Sequence, residues 1–269
     1  LRVRTRIGME DCTVEAAEYE KMYDSEEDNW WFQGRRDLIL DILKKINFDI
    51  CKNRADILDV GCGTGINLKS FERFGDVVGI DFSIEALRFC KSRGVGPLAS
   101  GSADKLPFKN CSFDIVCALD VLEHIEDDVA ALCEISRVLK DGGFLLITVP
   151  AFEFLWSNHD VALHHKRRYT KEIILSRLKS SGLSIMMCSY WNFFLFPLVA
   201  SIRLLRRNKA EEKSTDLEDL PSYLNKILFY ILKAERAIIN KEFAFPMGVS
   251  IVCVCRNGRE NEDDSREES

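Results

Sequence analysis

Apolar and polar positions alternate with two different periods along the middle of the chain. Short apolar runs bounded by turn residues are typical of buried strands, and the stretches between them have the spacing of amphipathic helices. The predicted strands are 57–60, 77–80, 115–119 and 144–149, and the predicted helices are 66–74, 84–92 and 127–139. Gly142-Gly143 is expected to end the last of these helices. This alternation predicts a parallel sheet with helices on both faces.

Further elements are predicted on both sides of this region. A helical pattern covers 19–46 and includes the aromatic residues Trp30, Trp31 and Phe32. Thr170 is placed to cap another helix. The last two predicted strands are 183–190 and 249–256, with two apolar helical segments between them. Together these elements predict a doubly wound, mostly parallel α/β sheet with a helical insertion between its last two strands.

The predicted elements divide the chain into four parts. They are an N-terminal helical segment (1–50), a main α/β domain (51–191 with 246–256), a helical insertion (192–245) and a disordered acidic tail (257–269). Three Arg and six acidic residues in 256–269 give a charge of −3, which is half of the net charge of −6. A polar segment without large apolar residues is expected to stay disordered.

Composition and cysteine usage narrow the class of protein. Apolar residues make up 46% of the chain, which is enough for a buried core, and the net charge of −6 argues against a nucleic-acid partner. The ten cysteines lack paired metal-type spacing, and several lie in apolar runs as small buried hydrophobes. The chain opens on charged residues with no apolar stretch after them, so we expect no signal peptide and a reducing, cytoplasmic location.

A glycine-rich loop follows the first predicted strand. Gly61, Gly63 and Gly65 come directly after 57–60 and precede a helix. Glycines there allow a sharp turn and close approach of the backbone to a ligand, and the helix that follows offers free N–H groups. A dinucleotide site would need a third glycine at position 66, which is Ile66. The spacing therefore favours a ligand without a pyrophosphate.

Two acidic residues lie where such a ligand would extend. Asp81 ends the second predicted strand sixteen residues after Gly65, where a carboxylate can accept hydrogen bonds from both ribose hydroxyls of a nucleoside. Asp104 precedes the next strand and can accept a hydrogen bond from an adenine amino group. Taken alone, Asp81 is also compatible with a helix cap and Asp104 with a solvated loop. Combined with the glycine loop, they favour a nucleoside site.

Four successive motifs resemble those of class I S-adenosylmethionine-dependent methyltransferases. They are DVGCGTG, GIDFS, SADKLPF and FDIVCALDVLEHI, in this order from about residue 56 to residue 150. The resemblance implies a seven-stranded, doubly wound sheet of the Rossmann-like methyltransferase fold, and S-adenosyl-L-methionine as the cofactor. It also implies cofactor contacts from Asp59, Gly61, Gly63 and Gly65 to the methionine part, from Asp81 to the ribose, from Ala103 and Asp104 to the adenine, and from Leu119 and Asp120 at the end of the fourth strand. His124 is compatible with a structural or a working role.

Three of the four histidines cluster after the fifth strand, at the sheet edge where ligands bind. We predict His159 or His164 as the general base, with Asp160 orienting it. The acceptor-binding residues are predicted to be His165, Arg167, Arg168 and Tyr169. A basic, solvated loop remains an alternative. A metal site of His159, Asp160 and His164 is another, but no fourth ligand is evident, and we predict no metal.

The histidine loop also resembles a subgroup of bacterial-type methyltransferases whose substrates are mostly not assigned. The shared features are the Trp-Trp-Phe segment at residue 30, a W-S-x-H-D…H-H-x-R-R-Y-T loop from residue 156 and a final P-x-G-x-S strand from residue 246. This resemblance runs from about residue 19 to residue 256. It implies methyl transfer but no particular substrate.

The insertion between the last two strands carries apolar helices and a basic edge. The first helix is expected at 193–205 and the second at 221–239, with Leu224, Ile227, Leu228, Ile231 and Leu232 on one face. Arg203, Arg206, Arg207 and Lys209 form the basic edge. Three interpretations remain open: a lid that covers the core, a peripheral membrane contact through 193–239, and a true membrane span.

The sequence thus predicts a methyltransferase that moves a methyl group to a small-molecule, lipid-like or glycan acceptor, with oxygen as the expected nucleophile. A nicotinamide-dependent oxidoreductase is one alternative, and Ile66 in place of a third glycine argues against it. A non-catalytic cofactor-binding scaffold is the other. The dense histidine and arginine loop argues against a scaffold, which has no need of it.

Overall fold

The computed structural model describes residues 16–50, 54–206 and 220–258. Its centre is one seven-stranded sheet in the order β3-β2-β1-β4-β5-β7-β6. Neighbours among β1 to β5 pair in parallel, whereas β7 is antiparallel to both β5 and β6. The strands are β1 (Ala55–Val60), β2 (Gly75–Asp81), β3 (Leu98–Ser100), β4 (Phe113–Leu119), β5 (Leu139–Pro150), β6 (Leu183–Trp191) and β7 (Ser250–Asn257). This confirms the predicted doubly wound, mostly parallel seven-stranded fold.

Helices cover both faces of the sheet. They are α1 (Ala16–Ser25), α2 (Trp30–Ile50), α3 (Ile66–Phe71), α4 (Ile84–Ser92), α5 (Asp128–Val138), α6 (Asn158–Ala162), α7 (Lys171–Ser180), α8 (Phe196–Arg206) and α9 (Ser222–Ile239). The Thr170 side chain accepts a hydrogen bond from the Ile173 N–H and caps α7, as predicted.

The sheet core explains why most strands could be found from the sequence. Ile57 and Leu58 of β1, Ile115 of β4, and Leu145 and Leu146 of β5 are completely buried. Strands of a parallel sheet are covered on both faces, so they appear as continuous apolar runs. The exception is β3, a three-residue edge strand with partly exposed side chains, and no apolar run predicted it.

Two predicted boundaries were wrong. The single helix expected over 19–46 is two helices, because the chain turns after Ser25 and the Asn29 side chain accepts a hydrogen bond of 2.9 Å from the Trp31 N–H, which caps α2. Gly142-Gly143 does not end a helix. The helix α5 ends earlier, at Val138, because Leu139 already pairs with Phe113 of β4.

The N-terminal helices are attached to the sheet domain by a buried ion pair. Arg93, which follows α4, lies 2.9 Å from Glu26 after α1, and its guanidinium stacks on the ring of Tyr23 at 4.2 Å. The same Glu26 accepts a hydrogen bond from the Thr64 hydroxyl of the glycine loop. The segment 16–50 therefore lies against the loop that the sequence predicts to bind the cofactor.

The insertion begins with α8 and continues with α9, which packs against α2. Leu232 of α9 is buried, whereas Ile227, predicted on the same apolar face, is 52% exposed. In the described parts of the chain, no helix combines the length and the apolar character needed to cross a membrane. Asn257, which was assigned to the predicted tail, is the last residue of β7, and residues 259–269 are outside the described residues.

Candidate active site

The glycine loop forms the turn between β1 and α3. The N–H groups of Gly61 and Cys62 both donate to the Ile80 carbonyl, at 2.8 and 3.1 Å, which fixes the loop to the end of β2. Gly61 has φ +66°, and a Cβ there would lie 2.5 Å from Cγ2 of Val121. Gly63 has φ +55°, and a Cβ added to it would meet no atom within 4 Å. The loop therefore leaves open space at Gly63.

Asp81 holds the loop from the neighbouring strand. One carboxylate oxygen accepts a hydrogen bond of 2.8 Å from the Gly63 N–H, and the other accepts one of 2.8 Å from the Ser83 N–H. Burial raises the pKa of Asp81, and these two backbone hydrogen bonds oppose the rise. Each carboxylate oxygen can accept a second bond, so Asp81 keeps the capacity to bind a ribose hydroxyl.

Asp59 is a buried carboxylate in need of a partner. It is 1% exposed, and its Oδ2 has no hydrogen-bond partner among the described residues. Burial raises the pKa of Asp59 to about 8, while Arg35 lowers it and Asp81 raises it further. A buried carboxylate without a partner is costly, so burial favours the protonated, uncharged form of Asp59.

A cavity of about 1030 Å³ opens above the glycine loop. Seven residues of the predicted cofactor site line it: Gly61, Gly63, Asp81, Ala103, Asp104, Leu119 and Asp120. Asp59 and Gly65 are outside this lining; Gly65 lies at the start of α3, and Asp59 is buried within β1. The structure thus brings seven of the nine predicted cofactor residues together around one space.

Arg35 is a site residue that the sequence analysis missed. It lies on α2, lines the cavity and forms an ion pair with Asp120. Its guanidinium lies 5.0 Å from the centre of the Trp31 ring. Asp120 also accepts a hydrogen bond of 3.0 Å from the Thr148 hydroxyl. The only signal in the sequence was an arginine soon after the aromatic patch, which a surface helix would also contain.

The histidine loop also contributes to the cavity lining. His159, on α6, and His165 line it together with His124. The rings of His124 and His165 meet edge to face, with centroids 4.7 Å apart. His164 is exposed and is not among the lining residues. The structure therefore leaves His159 as the candidate base and argues against His164.

Asp160 orients a different histidine from the one predicted. Its Oδ1 lies 2.8 Å from Nδ1 of His165, and Arg168 donates to both carboxylate oxygens, at 2.8 and 2.9 Å. Burial raises the pKa of Asp160, but the contacts with His165 and Arg168 outweigh burial and lower it below its usual range. The expectation that Asp160 orients His159 or His164 is corrected, because these contacts assign the carboxylate to His165.

Two of the predicted acceptor-binding residues point away from the cavity. Tyr169 is completely buried, and its hydroxyl donates to Asp128 at 2.7 Å. Arg167 donates to the Glu126 carbonyl at 2.8 Å and lies 3.4 Å from Asp128. Arg168 lines the cavity, but its guanidinium is held by Asp160. These contacts give Arg167 and Tyr169 structural roles, and His165 remains as the predicted residue whose ring lines the space.

Comparisons with known proteins agree with this geometry. Residues 58–147 match the family model described as Methyltransferase domain. A demethylmenaquinone methyltransferase of Streptomyces avermitilis is 42% identical over 93 residues, which cover 34% of this chain and 40% of the relative. A ubiquinone biosynthesis O-methyltransferase of Xanthomonas oryzae pv. oryzae is 30% identical over 131 residues, covering 44% of this chain and 55% of the relative. The chain therefore spans only about half the length of these relatives, or less.

Solved structures extend the likeness to most of the chain. A putative methyltransferase of Bacillus halodurans covers 81% of this chain and 99% of its own, with a TM-score of 0.51 and 22% identity. Phosphoethanolamine N-methyltransferase 2 of Haemonchus contortus, solved in complex with S-adenosyl-L-methionine, covers 81% of this chain and 52% of its own, with a TM-score of 0.52 and 20% identity. Residues 58–147 thus match a methyltransferase domain model, and the chain shares the Rossmann-like fold of these solved structures.

Proposed function

We propose that this protein is an S-adenosyl-L-methionine-dependent methyltransferase that acts on an oxygen of a small-molecule, lipid-like or glycan acceptor. One observation carries the proposal: a single cavity is lined by the glycine loop, Asp81, His159 and apolar side chains. A donor and an acceptor held in one cavity can be aligned for direct transfer, which is the main task left to the protein when the methyl group is already activated.

The residues present fit the cofactor. Asp81 would accept from the ribose and Asp104 from the adenine amino group. Gly63 gives the backbone room to approach, since a Cβ added there would meet no atom within 4 Å. Each carboxylate oxygen of Asp81 already accepts one backbone hydrogen bond and can accept a second from a ribose hydroxyl. When bound, S-adenosyl-L-methionine supplies a methyl group activated by its positive sulfonium.

The acceptor side supports an apolar molecule with a hydroxyl group. Phe154, Trp156, Val199 and Ile202 line the cavity there. His159 lines the same side and is proposed to take the proton of the acceptor hydroxyl. The likeness to a protein named an O-methyltransferase favours oxygen as the methylated atom.

The nicotinamide alternative is less well supported. Ile66, which replaces the third glycine of a dinucleotide loop, is 8% exposed and begins α3. The third glycine of a dinucleotide loop lets the helix pack closely on the strand, and a branched side chain at that position prevents this close packing. Calorimetry should therefore detect binding of S-adenosylhomocysteine and little binding of NAD. Tighter binding of NAD would contradict the proposal.

We further propose that the insertion contacts an anionic membrane surface, where a lipid-like acceptor would be found. Leu198, Ile202 and Leu205 of α8 are 56%, 41% and 80% exposed, and their spacing places them on one helix face. Tyr223, Ile227 and Tyr230 form a similar exposed stripe on α9. Val199 and Arg203 of α8 line the cavity, so this helix would join the membrane to the acceptor side.

The decisive experiment is transfer of label. Methyl-labelled cofactor is incubated with the protein and a cell extract, which is then separated into lipid, glycan and small-molecule fractions. We expect label in the lipid or small-molecule fraction and its loss with Asp81→Ala. Binding of S-adenosylhomocysteine without labelling of any fraction, across extracts of several growth conditions, would favour the non-catalytic scaffold.

A further inference from the structure

Three side chains that have no role in the proposed reaction lie close together in the cavity. Glu123 and His124 follow β4, and His165 comes from the loop after β5. One ligand atom from each lies within 4.8 Å of the other two. We propose that Glu123, His124 and His165 bind a divalent transition-metal ion, best matched by Zn²⁺, with an open position facing the acceptor.

Glu123 is the strongest indication of a missing cation. It is completely buried, and neither carboxylate oxygen has a hydrogen-bond partner among the described residues. The two arginines that influence it are already paired, Arg35 with Asp120 and Arg168 with Asp160. A buried carboxylate without a partner is costly. A divalent ion would balance its negative charge and bind its unpaired oxygen.

Both histidines are oriented in the way that metal ligands usually are. His165 is held through Nδ1 by Asp160, which leaves Nε2 as the nitrogen to face a metal. Asp160 is itself fixed by Arg168. His124 is held by a hydrogen bond to the Leu163 carbonyl. A metal-ligating imidazole commonly donates its second N–H to a carboxylate or a backbone carbonyl, which fixes the ring and its tautomer.

The ligand set suits Zn²⁺. Two imidazoles and one carboxylate are the protein ligands of several catalytic zinc sites, with water or substrate in the fourth position. Zinc–ligand bonds of about 2.1 Å place tetrahedral ligands about 3.4 Å apart, so the side chains would close by roughly 1 Å around the ion. Among the described residues the cluster has three ligands, so the fourth coordination position of the ion would be open to water or substrate.

The role suggested for the metal rests on the proposed methyl transfer, whereas metal binding itself can be tested without it. In that reaction the open position takes the acceptor hydroxyl oxygen, and coordination makes its proton easier to lose. The proton leaves to His159 or to water as the carbon–oxygen bond forms and the carbon–sulfur bond breaks, so no oxidant or reductant is required.

The test uses the full chain, without an affinity tag that binds metals, stripped with a chelator and titrated with Zn²⁺ alone. We expect one ion per chain by calorimetry and elemental analysis, and visible absorption bands of a low-symmetry site with Co²⁺. Glu123→Gln and His165→Ala should each weaken Zn²⁺ binding by about 100-fold or more, and Asp160→Asn by about 10–100-fold. His164→Ala, an exposed residue of the same loop, is the matched control and should bind as the wild type does.

Thermal unfolding of each variant is measured as the control for correct folding. If the stripped protein takes up no ion, or if Glu123→Gln and His165→Ala both bind as tightly as His164→Ala, the metal site does not exist. Binding of S-adenosylhomocysteine is measured separately, so the metal site and the methyltransferase activity can fail independently of each other.

Discussion

The carboxylate of Asp81 accepts a hydrogen bond of 2.8 Å from the backbone N–H of Gly63. The acid that ends β2 therefore fixes the loop that follows β1, in addition to its proposed contact with the ribose. The two parts of the cofactor site depend on each other, since a change at Asp81 loosens the glycine loop as well.

The first prediction follows from this bond. Asp81→Ala should weaken the binding of S-adenosylhomocysteine by about 1.5–3 kcal/mol, because hydrogen bonds to a charged group are lost on both the ligand and the loop. Calorimetry measures the change. Asp76→Ala, at the exposed start of the same strand, is the control and should leave affinity unchanged. Equal affinity of the two variants would reject the role of Asp81.

The second prediction separates two glycines of the loop. In Gly61→Ala the new methyl group would lie 2.5 Å from Val121, so we expect a large loss of thermal stability. In Gly63→Ala it meets nothing within 4 Å, so only the positive φ is costly, by about 1–2 kcal/mol, and the main effect should be lost cofactor affinity. The double variant Gly61→Ala with Val121→Ala should recover part of the stability. A similar melting temperature for both single variants would contradict this.

The third prediction concerns Asp59 and pH. Burial raises the pKa of Asp59 from 3.8 to about 8, so between these values the folded state holds a proton that the unfolded state has released. Stability from this group therefore falls as the pH rises through that window. Asp59→Asn does not titrate, so its stability relative to the wild type should rise by on the order of 5 kcal/mol between the acid and alkaline ends of this window, at about 1.4 kcal/mol for each unit by which the pKa is raised. Denaturant unfolding at a series of pH values measures the free energy of unfolding of both proteins. A difference between them that does not change with pH would contradict the prediction.

The cofactor half of the site could be predicted because its signals are local in the sequence. The glycines directly follow β1, and Asp81 is the last residue of β2, so the fold class alone brings them to one edge of the sheet. Asp59 was also assigned to the site, but the missing partner of its carboxylate became visible only in the structure.

The roles of the residues in the histidine loop could not be predicted in this way, because they depend on the direction in which each side chain points. Arg168 and Tyr169 are neighbours in the chain, yet one pairs with Asp160 at the cavity and the other with Asp128 in the core. Arg35 and Asp120 are separated by 85 residues. No periodic pattern indicates which side chains meet across such distances.

The fourth prediction tests His159 as the general base. His159→Ala should lower turnover on the true acceptor by about 100-fold or more, while binding of S-adenosylhomocysteine stays unchanged, because the proton of the acceptor loses its recipient. The comparison variant is His164→Ala, whose side chain is exposed outside the cavity lining. If His159→Ala retains full turnover, the proton leaves by another route.

The last prediction concerns the apolar stripe of α8. An exposed face of Leu198, Ile202 and Leu205 is large for a surface that stays in water, and the basic residues that follow it would add about 1 kcal/mol each near anionic head groups. The protein should co-sediment with anionic vesicles at low salt. Binding should weaken with salt, with Arg206→Glu plus Arg207→Glu, and with Leu198→Ser plus Leu205→Ser. Met186→Ser, which removes an exposed apolar side chain from β6, is the control and should bind like the wild type. Absence of binding at low salt would leave α8 as a lid over the cavity, and equal loss in the Met186 variant would indicate nonspecific adsorption.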